Sequence, residues 1–183
     1  GLATPDTVAE AIERAGRVKA ILPVHLSGRL CDTAAVARQA EAQGAVLIED
    51  ACHALGGQDE GGAPVGACAH SDAVAFSFHP VKTIATGEGG MVAVRDHAWA
   101  ERIRRLRNHG VTREAGLMSE PGSFDADGAP NPWSYEQLEL GFNYRMNEME
   151  AALGLSQLGK LDRFVTRRRS LAERYDRLLQ GLG

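Results

Sequence analysis

The sequence predicts an α/β protein in which a mostly parallel sheet is flanked by helices. Two observations carry this prediction. Short apolar runs of strand length alternate with segments whose apolar residues recur at helical spacing. Several of these runs lack polar alternation, which is typical of parallel strands that are covered on both faces. Strands that alternate with helices in this way indicate a layered α/β architecture.

The first helix and the first strand are predicted within the first 26 residues. Residues 4–16 are predicted to be helical, because Thr4 can cap the helix at its start. Residues 18–26 form an apolar run that Pro23 interrupts. This run predicts a strand that ends near His25.

A second helix and a second strand follow directly. Asp32 can cap a helix over residues 33–43, and Gly44 fits the end of that helix. Residues 45–49 then predict a strand with Asp50 at its carboxyl end.

The middle of the chain carries two more predicted strands, over residues 72–78 and 90–94, after a glycine-rich loop over residues 56–66. Lys82 lies between these strands, in a short loop that the glycines of residues 87–90 close. Glycines let the backbone come close to a ligand. The loop lacks the GxxxxGK[ST] pattern of a nucleotide-binding P-loop.

The rest of the chain is predicted to be helical apart from one long loop. Residues 96–109 predict a helix. Residues 111–132 predict the long loop, because they are rich in Gly, Pro and Asp. Asn147 opens a capping box before a helix over residues 149–158, and residues 161–179 predict the last helix.

Composition excludes several classes of protein. The net charge of −4 argues against a nucleic-acid binder and against attachment to a membrane surface. No apolar run approaches the roughly 20 residues that span a bilayer, and no signal peptide is visible. The three cysteines have no CxxC spacing and the six histidines no HExxH pattern, so no metal site is predicted. Free thiols favour a reducing, cytoplasmic location.

Four residues that can carry chemistry fall at or just beyond predicted strand ends: Asp50, His53, Ser77 and Lys82. Ligands bind at such ends in open α/β sheets. Alone, each residue has an ordinary structural interpretation, such as a strand-ending acid or a solvated lysine. Together, an acid and a lysine suit pyridoxal 5'-phosphate (PLP), because the lysine can form a Schiff base and the acid can keep the ring nitrogen protonated.

The segment YEQLELGFNYR, residues 135–145, mixes aromatic and polar residues without a clear period. It is either a surface strand or turn that packs on its own domain, or a segment that reaches into a site, including one in a neighbouring subunit.

Three segments together resemble the DegT/DnrJ/EryC1/StrS family of fold-type I, PLP-dependent sugar aminotransferases: IEDACHALG, SFHPVK with GEGG, and LGFNYRMNEMEAALGLSQL. These segments occur in the family's order, and the resemblance covers nearly the whole chain. The resemblance implies that residues 1–183 form a central part of the large, PLP-binding domain. The family's N-terminal segment and C-terminal small domain would lie outside this chain, and we expect little activity from the chain alone.

The resemblance also implies roles for five residues. Lys82 would form the Schiff base and move the proton, and Asp50 would pair with the pyridine nitrogen. His53 would lie by the phenolic oxygen or the ring, and Ser77 would bind the phosphate. Asn143 would reach the phosphate of the cofactor in the partner subunit, which implies a homodimer with shared sites.

Within the family, stretches such as HLSGR and RNHGVTR are similar to the pseudaminic acid branch. That branch implies transfer of an amino group from L-glutamate to C4 of a 4-keto UDP-sugar. His109 and Arg145 would be substrate or structural contacts. Another sugar aminotransferase, of the perosamine or antibiotic-sugar type, is the alternative.

Three other functions fit the sequence less well. A sugar 3-dehydratase branch of the family has His in place of the lysine, so Lys82 argues against it. A non-catalytic, regulatory protein on the same fold could lose Asp50 or Lys82, yet both are present. A dehydrogenase would need a GxGxxG pattern after a strand, and none occurs.

Overall fold

The computed structural model describes residues 2–181. The chain divides into two compact units. The first unit consists of Gly1–Arg95 together with Asn147–Gly183, and the second is Asp96–Met146.

The first unit contains a sheet in the order β1-β2-β3-β4. Its strands are β1 (Ala20–Ile21), β2 (Val46–Asp50), β3 (Ala73–Ser77) and β4 (Gly90–Val94). The first three run parallel, and β4 is antiparallel to β3. The predicted mostly parallel sheet is confirmed.

Five α-helices occur among residues 2–181: α1 (Pro5–Ala15), α2 (Thr33–Gln43), α3 (His97–Leu106), α4 (Glu148–Leu158) and α5 (Leu161–Leu179). The predicted caps are confirmed. The side-chain oxygens of Thr4, Asp32 and Asn147 each accept a hydrogen bond from a backbone N–H of the first helical turn.

The predicted first strand is too long. Only Ala20–Ile21 form β1, whereas the prediction covered residues 18–26. Pro23 has no N–H to donate and interrupts the ladder. Just beyond Pro23 the chain pairs with β2 again. Val24 forms a bridge to Asp50, and His25 N–H donates to Asp50 O at 3.0 Å.

The core of the first unit has two clusters of buried apolar side chains. One joins the helices α1 and α2 to the sheet: Val8, Val36, Ala40 and Leu47. The other lies under the loops that follow β2: Ala51, Ala54, Cys68, Val74 and Phe76. A Cβ at Gly66 would lie 2.9 Å from the Phe76 ring, so a larger residue there would disturb the second cluster.

The helix α5 has apolar residues at helical spacing along its whole length, but those near its C-terminus are exposed. Leu161, Phe164 and Val165 are half-buried, as the helical spacing predicts. Tyr175 and Leu178 are each 64% exposed. The apolar stripe is therefore covered as far as Leu171 and exposed beyond it.

The second unit combines α3 with two short antiparallel strands, β5 (Val111–Thr112) and β6 (Glu136–Gln137). Glu139 receives hydrogen bonds from Arg102 and Arg105 of α3, and these hold its pKa below the ordinary value. The remainder of residues 111–132 contains two 3₁₀ turns and one isolated bridge between Phe124 and Pro130, in agreement with the predicted long loop.

Candidate active site

Asp50 is the last residue of β2, at the carboxyl end of the parallel strands. Its Oδ1 accepts a hydrogen bond of 3.0 Å from Cys52 N–H. The Cys52 side chain, whose thiol can donate to a carboxylate, is the main cause that lowers the Asp50 pKa. Partial burial opposes this effect, while the charges of His53 and Lys82 support it. Asp50 is therefore held as a carboxylate.

The pKa of the Cys52 thiol is shifted in the opposite direction, upward. Burial and the negative charge of Asp50 raise the pKa of the Cys52 thiol to about 11. The thiol therefore stays protonated near neutral pH and is a poor nucleophile.

Lys82 lies in the loop between β3 and β4 and is half-buried. Three backbone hydrogen bonds shape this loop: Lys82 N–H to His79 O, Thr86 N–H to Phe78 O, and Phe78 N–H to Gly89 O, at 2.8–2.9 Å. The charge of Lys82 lowers the pKa of Asp50 and of Cys52. The structure thus brings Lys82 near Asp50, as predicted from their places at strand ends.

Ser77 ends β3 and pairs with Gly90 of β4. Its Oγ accepts a long hydrogen bond of 3.4 Å from His79 N–H. The hydroxyl hydrogen remains free to donate to an anion.

His53 is exposed, three residues beyond Asp50. Its Nδ1 accepts a hydrogen bond of 3.1 Å from Ser27 N–H. His53 therefore belongs to the same sheet edge as Asp50, Ser77 and Lys82. These four of the five predicted cofactor residues all lie in the first unit.

Asn143 lies in the second unit, where its backbone bridges to Asn108. Its side chain is exposed. The role predicted for Asn143 in a partner subunit stays a prediction. His109 and Arg145 line a cleft of about 490 Å³ in this unit. Arg145 donates to Asn108 Oδ1 at 2.8 Å.

The sequence analysis did not predict a buried polar cluster behind the sheet edge that carries Asp50. Glu49 accepts hydrogen bonds from His25, Ser71 and Thr33. Burial raises the pKa of Glu49, but these hydrogen bonds outweigh it and the net pKa lies below the ordinary value. The available signal was a glutamate within an apolar strand, because such a residue needs partners when it is buried.

The sequence pattern of the whole chain decides its family. Residues 1–183 match the DegT/DnrJ/EryC1/StrS aminotransferase family. The chain belongs to this family. The resemblance to this family and the predicted fold class are both confirmed.

Known relatives of this DegT/DnrJ/EryC1/StrS chain include sugar-processing proteins. SpsC of Bacillus subtilis, a spore coat polysaccharide biosynthesis protein, is 38% identical over 165 residues, which cover 90% of this chain and 39% of SpsC. Helicobacter pylori PseC, an aminotransferase involved in the biosynthesis of pseudoaminic acid, superposes with a TM-score of 0.76 at 30% identity. That match covers 89% of this chain and 39% of PseC.

A third relative has been solved with a reaction intermediate. DesV of S. venezuelae, in complex with a ketimine intermediate, superposes with a TM-score of 0.79 at 34% identity. The match covers 100% of this chain and 43% of DesV. The chain therefore spans about two fifths of the length of the relatives it matches.

The side chains at the sheet edge fit PLP, the cofactor that this family implies. An ionised Asp50 suits a cationic ring nitrogen, and Lys82 supplies a primary amine. Among residues 2–181, no group of three or more His, Cys, Asp or Glu side chains is placed to hold a metal ion. Within the same range, no helix is both long and apolar enough to cross a membrane.

Proposed function

We propose that this chain forms the cofactor-binding centre of a PLP-dependent sugar aminotransferase. One observation carries the proposal: a carboxylate with a lowered pKa, Asp50, lies near the half-buried Lys82 at the carboxyl edge of the sheet. Membership of the aminotransferase family supports the same chemistry.

PLP supplies an aldehyde that condenses with amines and a ring that accepts an electron pair. Lys82 would hold the cofactor covalently and, once released, would move a proton between cofactor and substrate carbon atoms. Asp50 would keep the ring nitrogen protonated. Ser77 would donate to the phosphate, and His53 would lie by the phenolic oxygen or the ring.

The proposed substrates are L-glutamate as amino donor and a 4-keto UDP-sugar as acceptor, in a pathway of the pseudaminic acid type. Likeness to PseC supports this choice. Likeness to DesV and SpsC supports the broader class of sugar aminotransferase, so another keto-sugar is the alternative.

The complete site is proposed to need more than this chain. The chain spans about two fifths of its relatives, so we expect residues outside it to complete the cofactor pocket. A homodimer is proposed as well, in which Asn143 reaches the cofactor phosphate of the other subunit. We place the protein in the cytoplasm, where nucleotide sugars and free thiols are found.

Borohydride trapping tests the proposal at a single residue. The protein is incubated with PLP, reduced with borohydride and digested, and the modified peptide is located by mass spectrometry. We expect the adduct on Lys82. Lys82→Arg is the matched control, because it keeps the positive charge but has no primary amine.

The trapping is repeated on a form extended at both ends to the length of the relatives. An adduct in the extended form alone would support the proposal that flanking residues complete the site. An adduct in neither form, or one that persists in Lys82→Arg, would refute the transaminase function.

A further inference from the structure

A buried histidine and a buried glutamate lie behind the loop that contacts His53. His25 and Glu49 are 1% and 7% exposed, and His25 Nε2 lies 2.7 Å from Glu49 Oε2. Ser71 donates to the other oxygen of the same carboxylate. Because both members of the pair are buried, they can act on the site only through the residues they hold.

The hydrogen bonds of His25 determine its protonation and orientation. Cys31 N–H donates to His25 Nδ1 at 3.1 Å. A backbone N–H can only donate, so Nδ1 accepts and the ring proton lies on Nε2. That proton is donated to Glu49. Both ring nitrogens are therefore occupied, and the ring is held in one orientation.

The main chain of His25 joins β2 to the turn over residues 26–28. His25 N–H donates to Asp50 O at 3.0 Å, and Gly28 N–H donates to His25 O at 3.2 Å. Ser27, in the middle of this turn, has φ 56° and ψ 24°. A left-handed conformation is unfavourable for serine, so the surrounding contacts must maintain it.

This turn contacts His53 at two points. Ser27 N–H donates to His53 Nδ1 at 3.1 Å. A Cβ at Gly28 would lie 3.0 Å from His53 O, so the turn packs closely on the His53 main chain. Since Nδ1 accepts, the proton of the neutral His53 ring lies on Nε2. Nε2–H is then the donor that His53 offers to a ligand.

We propose that His25, held by Glu49, is a positioning residue for His53. By anchoring the loop over residues 25–31, it places Ser27 N–H on His53 Nδ1 and so presents Nε2–H as a donor to the cofactor. The identity of the ligand rests on the proposed function. The chain of hydrogen bonds from Glu49 to His53 does not.

Amide hydrogen exchange of the ¹⁵N-labelled chain without cofactor tests this link. The exposed Ser27 amide should exchange roughly five-fold more slowly than an unbonded amide, as expected for one ordinary hydrogen bond. His53→Ala removes the acceptor and should abolish this protection. His25→Ala leaves His53 in place and should abolish it too.

Ser71→Ala is the matched control. It removes a different hydrogen bond to Glu49 and should leave Ser27 exchange unchanged. In the cofactor-loaded protein, the pH titration of the cofactor absorbance should change in His53→Ala and His25→Ala but not in Ser71→Ala. Wild-type Ser27 exchange in His25→Ala would overturn the proposal.

If His25→Ala does not fold, His25→Asn decides the question. The shorter asparagine side chain has no nitrogen that reaches Glu49, so Ser27 should exchange faster than in the wild-type protein. Wild-type exchange at Ser27 in a folded His25→Asn protein would overturn the proposal. Protection at Ser27 without any adduct on Lys82 would refute the transaminase function while leaving the positioning of His53 intact.

Discussion

The Asp50 carboxylate accepts a hydrogen bond of 3.0 Å from the backbone N–H of Cys52, two residues along the chain. The Cys52 side chain is also the main cause that lowers the Asp50 pKa. In return, burial and the charge of Asp50 raise the thiol pKa. This reciprocal contact can be tested on either partner.

Cys52 should be an unreactive thiol until the charge of Asp50 is removed. With a pKa of about 11, roughly one thiol in three hundred is ionised at pH 8.5. Asp50→Asn removes the charge but leaves the burial, so we expect alkylation of Cys52 by iodoacetamide to accelerate several-fold. Peptide mass spectrometry measures the rate. Asp6→Asn, an exposed site on α1, is the control, and an unchanged rate in Asp50→Asn would refute the coupling.

Asp50→Asn should also separate cofactor attachment from turnover. The amide cannot hold the ring nitrogen in its protonated state, whereas Lys82 keeps its amine. We expect the Lys82 adduct to persist while transamination by the extended form falls roughly ten- to hundred-fold, the value of one hydrogen bond to a charged group. Full activity in this variant would remove Asp50 from its proposed role.

Glu49→Gln should weaken the fold in a pH-dependent way. The Glu49 pKa is lowered in the folded state, so its contribution is present above the ordinary value near 4.5 and is lost as pH falls through the lower, folded-state pKa. At pH 7 we expect the free energy of unfolding to fall by roughly 1–3 kcal/mol.

Urea unfolding of wild type and Glu49→Gln at several pH values measures this effect. The difference between the two proteins should shrink in acid. Glu13→Gln, at an exposed position of α1, serves as the control. A difference that stays constant down to pH 3 would contradict the role assigned to the carboxylate.

Gly90→Ala should disturb the strand pair that frames Lys82. A Cβ at Gly90 would lie 2.7 Å from the carbonyl oxygen of Phe76, closer than real Cβ contacts. We expect a loss of roughly 1–3 kcal/mol in the free energy of unfolding, as for other overpacked sites, and a lower yield of the Lys82 adduct.

Thermal unfolding checks the Gly90 prediction. Gly116→Ala is the control, because a Cβ there meets no atom within 4 Å. Equal stability of the two variants would show that β3 and β4 can shift apart without cost.

Local sequence signals predicted the helices well. The bounds of α2 and α5 agree with the prediction, and the caps at Thr4, Asp32 and Asn147 are in place. Capping and helical spacing depend on residues within a few positions of each other, so the sequence contains the information directly.

Features that depend on residues distant in sequence were predicted less completely. Pro23 indicated an interruption of the first strand, but the bridge from Val24 to Asp50 depends on a strand about 25 residues away. The exposed end of α5 follows from what packs against it, which helical spacing does not encode. These differences arise because pairing and burial are properties of the assembled sheet.

By itself, the sequence determined the α/β class, the family, and the placement of Asp50, Ser77 and Lys82 at strand ends. These features rest on local order along the chain. Only the tertiary structure decided the approach of Lys82 to Asp50, and the connection of Glu49 through His25 and Ser27 to His53. Hydrogen bonds between residues far apart in sequence exist only once folding has brought their donors and acceptors within reach.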